Sequence, residues 1–213
     1  MSSLDSSEKK NLLGIARRAL VCAACGPGTR DEEPCGELME EANEQPAVAR
    51  TRRAGVFVTL RARGRLRGCI GQLSSELPLA DTVAHCARAA AREDPRFAPV
   101  KPEELSGTEI EISVLSTPVA ITPEAIRIGE HGLIVSRGKC RGVLLPHVAT
   151  EFRWQAQRFL EETCVKAGLA TDAWKDPETE IQAFTADVFT EKELIAASSP
   201  ERARRSSSYS SST

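Results

Sequence analysis

Six consecutive residues, Leu66-Arg67-Gly68-Cys69-Ile70-Gly71, set a thiol two positions from a guanidinium and between glycines. Read as a strand, alternation points Leu66 and Ile70 to one face, where they anchor in a core, and Arg67 and Cys69 to the other. A nearby cation lowers a cysteine pKa and makes the sulfur nucleophilic or ligand-competent, so the pattern points to thiol chemistry. Gly68 and Gly71 weaken a strand unless they form a bulge or let another group approach closely, which favours an accessible position. The competing expectation is packing, because free cysteine is among the most buried residue types and behaves as a small hydrophobe.

The same six residues match the hallmark motif of the AMMECR-type domain family. Residues 55 to 60 before the motif and Asp94-Pro95-Arg96-Phe97-Ala98-Pro99-Val100 after it fit the family as well. So do residues 109 to 116, His131-Gly132-Leu133, Val143-Leu144-Leu145-Pro146 and residues 164 to 169, in the family's order across most of residues 8 to 190. The chain resembles the bacterial form of the family, the AmmeMemoRadiSam system protein A. That resemblance implies an α+β fold, with a mixed or mainly antiparallel sheet flanked by helices. It also implies a Memo-like protein and a radical SAM protein as partners. The chain lacks the clustered cysteines of an iron-sulfur radical enzyme, so any radical chemistry belongs to a partner.

Two functions follow as expectations. In the first, the chain is an accessory enzyme or enzyme subunit acting on a small substrate. Cys69 is its nucleophile or substrate-binding thiolate, and Arg67 lowers the thiol pKa or holds an anionic group. His131, which the family motif places on another strand, moves a proton. Gly68, Gly71, Asp94, Arg96, Glu111 and His147 then contribute to substrate binding. In the second, the chain is a non-catalytic module for a small ligand or a protein, its motif is a docking surface, and Cys69 is packing. Each polar residue has a structural alternative: Asp94 and Arg96 as a helix-end ion pair, Glu111 as a solvated strand residue, His131 as a strand-end histidine bonded to backbone. Glu111 is also placed to hold Arg67. His147 stands where relatives commonly carry another polar residue, often glutamine, which argues against an indispensable catalytic role.

No cofactor is expected. Gly-rich phosphate loops and a Ser-His-Asp order are absent from the sequence. Cys22-x-x-Cys25, with Cys35 beyond it, lacks the second pair or nearby histidine of a zinc set. With 213 residues, 41% hydrophobic content and a formal net charge of -2, the chain can bury one domain's core. Near-neutral charge and 4% aromatic content disfavour nucleic acid as a partner. Without an apolar run of membrane-spanning length, and with a polar Met1 to Lys10, a cytoplasmic location is expected; seven cysteines fit reduced thiols.

The elements that must position these residues follow from periodicity. Asp5 and Glu8 resemble a capping box opening an amphipathic helix over 6–23. Residues 56–60 and 65–73 form a hairpin around Arg61-Ala62-Arg63-Gly64, with the motif strand expected near the middle of its sheet. A helix over 79–93, a half-buried strand over 109–115 and a second hairpin around Arg137-Gly138-Lys139 follow. Pairing Ser136 with Cys140 in that hairpin brings His131 and His147 to one side. A helix over 152–167 and a strand over 180–189 complete a domain over 1–197. Residues 24–54 read as a variable excursion or part of a small subdomain, and 198–213 as a disordered Ser/Arg-rich tail.

Overall fold

The structure, a computed structural model, describes residues 4–26 and 51–198. Most of the expected 24–54 excursion and of the 198–213 tail therefore lies outside the described residues, as does Cys35. Two compact units divide the chain: one holds residues 4–26, 51–113 and 188–198 of the described set, the other residues 114–187. Among the described residues no helix is long and apolar enough to cross a membrane.

In the first unit, helix α1 (Ser6–Cys25) starts where the sequence signals it. Asp5 Oδ1 accepts from the N–H groups of Ser7 and Glu8, while Glu8 Oε2 accepts from the Asp5 N–H at 2.7 Å, so orphan amides are satisfied reciprocally. Strands β1 (Val56–Ala62) and β2 (Arg65–Gln72) form the expected hairpin. Helix α2 (Leu79–Arg92) packs on both strands and on α1. With β3 (Thr108–Leu115) and β8 (Ala186–Thr190), the hairpin makes a sheet in the order β2-β1-β3-β8. The motif strand is thus an edge strand, contrary to the expected place near the middle.

The core of this unit is the sheet face bearing Val56, Val58, Leu60, Ile110 and Ile112, all fully buried. The final helix, α5 (Glu191–Ser198), is tied back at its start: the Glu191 carboxylate accepts from Arg17 and from the Ile110 N–H, and Arg17 also donates to the carbonyls of Leu105 and Thr108.

The second unit carries an antiparallel sheet in the order β4-β7-β5-β6, built from β4 (Val119–Ala120), β5 (Gly132–Arg137), β6 (Cys140–Leu144) and β7 (Glu180–Phe184). Helix α3 (Pro146–Glu151) follows β6, and α4 (Ala156–Lys166) packs Phe159, Leu160 and Cys164 against Leu133, Val135 and Ala183. The protein is α+β, with two antiparallel sheets and flanking helices, as expected.

Three local expectations change here. The hairpin pairs Arg137 with Cys140 and Ser136 with Arg141, because Gly138 at φ 58° allows a two-residue turn of the kind that matches strand twist. Helical structure expected from 152 instead starts α4 at Ala156, since Arg153 at φ 54° separates it from α3. The single strand expected over 180–189 breaks at Thr185 into β7 and β8, which serve different sheets.

Candidate functional site at the motif strand

Alternation through the motif is interrupted. Leu60 pairs with Gly68 and Arg61 with Leu66, which leaves Arg67 as the extra residue of a β-bulge. Leu66 therefore shares the face of Arg61, Thr59 and Cys69, and it is 38% exposed instead of anchored in the core. Gly68 and Ile70 lie on the opposite face, toward α2. There a Cβ on Gly68 would come within 2.2 Å of the Ala90 carbonyl oxygen, so glycine is what lets the helix backbone sit directly on the strand. On the Cys69 face, a Cβ on Gly71 would collide with the Phe57 ring at 2.4 Å. These two glycines serve close packing.

The bulge also redirects Arg67. Its Nε and Nη2 donate to Glu104 Oε1 and Oε2 at 2.8 and 3.0 Å, and its remaining donors reach the carbonyls of Ala98 and Pro99. This two-pronged ion pair, closed by the Lys101 N–H donating to Glu104, staples the loop over 97–104 to the strand. The Arg67 bonds, then the Lys101 amide, pull the Glu104 carboxyl down to about 2, and the same pairing raises the Arg67 pKa. The expectation that Arg67 and Cys69 share a face is thus corrected. Glu111 does not hold Arg67 either; its carboxylate lies 3.6 Å from Arg61 Nε.

The cation associated with Cys69 is Arg96. Asp94, whose side chain is 2% exposed, accepts four hydrogen bonds. The Cys69 N–H and Arg96 Nη2 reach Oδ2 at 2.8 and 2.7 Å, and the Arg96 N–H and Nε reach Oδ1 at 3.1 and 2.9 Å. Arg96 Nη2 also donates to the Cys69 carbonyl at 3.4 Å. The Arg96 bonds, aided by the Cys69 and Arg96 amides and opposed by burial, hold the Asp94 carboxyl well below the usual carboxylate range. The same contact raises the Arg96 pKa, chiefly through Asp94, with a smaller contribution from Cys69. An edge strand exposes backbone groups that invite another chain; here a carboxylate and a guanidinium occupy those of Cys69.

Because its N–H and C=O point outward, Cys69 forms a non-hydrogen-bonded pair with Thr59, the arrangement that brings cross-strand side chains closest. The Thr59 hydroxyl donates to the half-buried Cys69 sulfur at 3.3 Å. Arg96 stays 55% exposed, with its guanidinium 5.5 Å from the centroid of the half-buried Phe97 ring. Cys86, 1% exposed on α2, has its thiol pushed up to about 11, mainly by burial.

His131 and His147 belong to the other unit. His131 precedes β5, and its Nδ1 accepts from the Arg127 N–H at 3.2 Å while its own N–H donates to the Arg127 carbonyl. In the neutral ring this leaves the proton on Nε2. His147 is exposed on α3, which Pro146 opens at its first turn. The cross-strand register that was to bring the two imidazoles to one side does not exist. Among the described residues no group of three or more His, Cys, Asp or Glu is arranged to hold a metal.

Sequence reasoning missed Thr59 and Glu104. Thr59 was findable, as the polar residue between Val58 and Leu60 in an alternating strand. Glu104 lies 37 positions from its partner and carries no local signal.

The AMMECR1 family matches residues 13–189, and the chain belongs to that family. A protein of Methanothermobacter thermautotrophicus is 50% identical over 195 residues, covering 88% of this chain and 96% of its own length. A protein of Thermofilum pendens is 38% identical over 208 residues, covering 90% and 93%. A crystal structure of an uncharacterized protein from Pyrococcus horikoshii is similar at a TM-score of 0.74 and 35% identity, covering 89% of this chain and 94% of that one.

Proposed function

We propose that this protein is a non-catalytic binding module of the cytoplasm. In this reading it presents the Leu66–Gly71 strand and the adjoining Asp94–Val100 loop as a rigid docking surface, and it works with a Memo-like protein and a radical SAM protein. The observation that carries it is the Asp94 clamp. A buried carboxylate directs all four of its hydrogen bonds to the motif strand and its own loop, so its role is to fix backbone shape. Two of the charged side chains that the sequence offered to a substrate, Arg67 and Asp94, are consumed internally, and Arg96 is left at the surface over the half-buried Phe97. Binding to the purified partners, followed by titration calorimetry, tests this reading. Arg96→Ala should weaken binding and Cys69→Ser should leave it unchanged; the reverse pattern rejects it.

One observation favours a second reading, the accessory thiol enzyme acting on a small substrate. The Thr59 hydroxyl donates to the Cys69 sulfur, so this half-buried thiol is oriented by a polar partner rather than by packing alone. In this form Arg96 replaces Arg67 as the cation, and His131 is the proton carrier only if it releases the Arg127 amide. Iodoacetamide labelling followed by mass spectrometry separates the two readings. Rapid modification of Cys69 below pH 7, reduced in Thr59→Val, supports the enzyme; modification no faster than that of a free thiol removes it. Cys86 and Cys164 will not compete, since burial raises both thiols.

A further inference from the structure

Among the described residues, no strand or loop pairs with the β6 edge of the second sheet. In the β5–β6 hairpin, Arg137 and Cys140 flank a two-residue turn and form a hydrogen-bonded pair, so alternation turns the N–H and C=O of Arg141 and Val143 away from β5. Among the described residues nothing hydrogen-bonds to these four groups. They recur at the two-residue spacing with which an extended chain presents its own N–H and C=O. The strand beneath them is held firmly: a Cβ on Gly142 would lie 2.3 Å from the Ala167 nitrogen, so α4 rests directly on β6.

Charge selects what can add there. Lys139 and Arg141 are exposed and, among the described residues, have no acidic partner, whereas Arg137 is paired with Asp176 at 2.8 Å. Lys166, exposed in the last turn of α4, is a third such cation. Two copies of this chain joined edge to edge would set these cations against one another, while a strand carrying carboxylates would be drawn in. We propose that the β6 edge is a strand-addition site for an acidic, extended segment of a partner protein.

The partner strand would exchange N–H···O=C bonds with Arg141 and Val143, and its carboxylates would lie on the face of Arg141, away from α4, beside the turn that carries Lys139. A blocked, fluorescein-labelled peptide of alternating glutamate and valine, titrated into the full chain at low salt and read by anisotropy, tests the proposal. A lysine–valine peptide is the control. The acidic peptide should bind at least about tenfold more tightly than the basic one. Val143→Pro deletes an outward N–H that makes no bond in the free protein and should weaken binding about tenfold. The double variant Lys139→Glu with Arg141→Glu, which leaves the ladder intact, should reverse the preference between the peptides whether or not Val143→Pro folds. Equal binding of the two peptides, absence of binding at millimolar concentration, or slow hydrogen exchange at the Arg141 and Val143 amides of the free monomer would overturn it.

Discussion

Strands β2 and β6 are built alike and finished differently. Each is the second strand of a hairpin, each ends its sheet, and each carries a glycine where a helix backbone lies in contact: Gly68 under the Ala90 carbonyl and Gly142 under Thr163 and Ala167. On β2 the outward backbone of Cys69 is occupied by Asp94 and Arg96; on β6 the outward groups of Arg141 and Val143 have no hydrogen-bond partner among the described residues. An unpaired edge tends to recruit another chain, and a protein can close it with its own side chains or leave it to a selected partner. Here one loop makes the difference. The residues after α2 fold back on β2, and no equivalent segment among the described residues returns to β6.

The comparison can be broken most severely at Asp94. Asp94→Ala leaves the Cys69 and Arg96 amides without their acceptor beside a buried position, while the Arg96 guanidinium stays in water, and should cost about 2 to 4 kcal/mol in denaturant unfolding. It should also turn β2 into an open edge, seen as concentration-dependent association in sedimentation velocity. The shared feature should fail equally on both sides. Gly68→Ala and Gly142→Ala each force a Cβ into helix backbone and should cost about 1 to 3 kcal/mol, so a tolerated substitution at either site would end the parallel.

A smaller effect separates the two edges by pH. Glu104 and Asp94 have depressed folded pKa values, so they bind fewer protons folded than unfolded, and their stabilisation is complete above the unfolded range. For Glu104 it is lost as pH falls from the ordinary 4.5 toward about 2, and for Asp94 it persists to still lower pH. Glu104→Gln should therefore flatten the acid side of the stability profile, while neutralising Lys139 should not. The smallest change is expected from Val143→Pro, whose thermal stability should stay within about 0.5 kcal/mol of the parent because the deleted N–H is unpaired.

Much of the fold could be read along the chain. The Asp5–Glu8 capping box and the alternation over Glu109–Leu115 both stand in the structure as capping and periodicity require. The candidate site was less legible. Reading Arg67 beside Cys69 presumed an unbroken ladder, and a single bulged residue changes every facing on its far side. Reading Glu111 as the Arg67 partner presumed that strand neighbours pair, yet a loop carboxylate offered the two-pronged geometry a guanidinium prefers. The Asp94–Arg96 ion pair was visible two residues apart; its grip on the Cys69 backbone was not.

What the sequence alone determined was local: most of the helix and strand segments, the Asp5 cap and the first hairpin, and the family to which the motif belongs. Those outcomes depend on neighbours within a few residues, whose spacing is written in the chain. Tertiary structure decided that the motif strand is an edge, that Arg67 turns to Glu104, and that Asp94 closes the β2 edge at Cys69 while β6 stays open among the described residues. Each of these depends on groups tens of residues apart competing for the same donors and acceptors, and only the assembled sheets settle which of them meet.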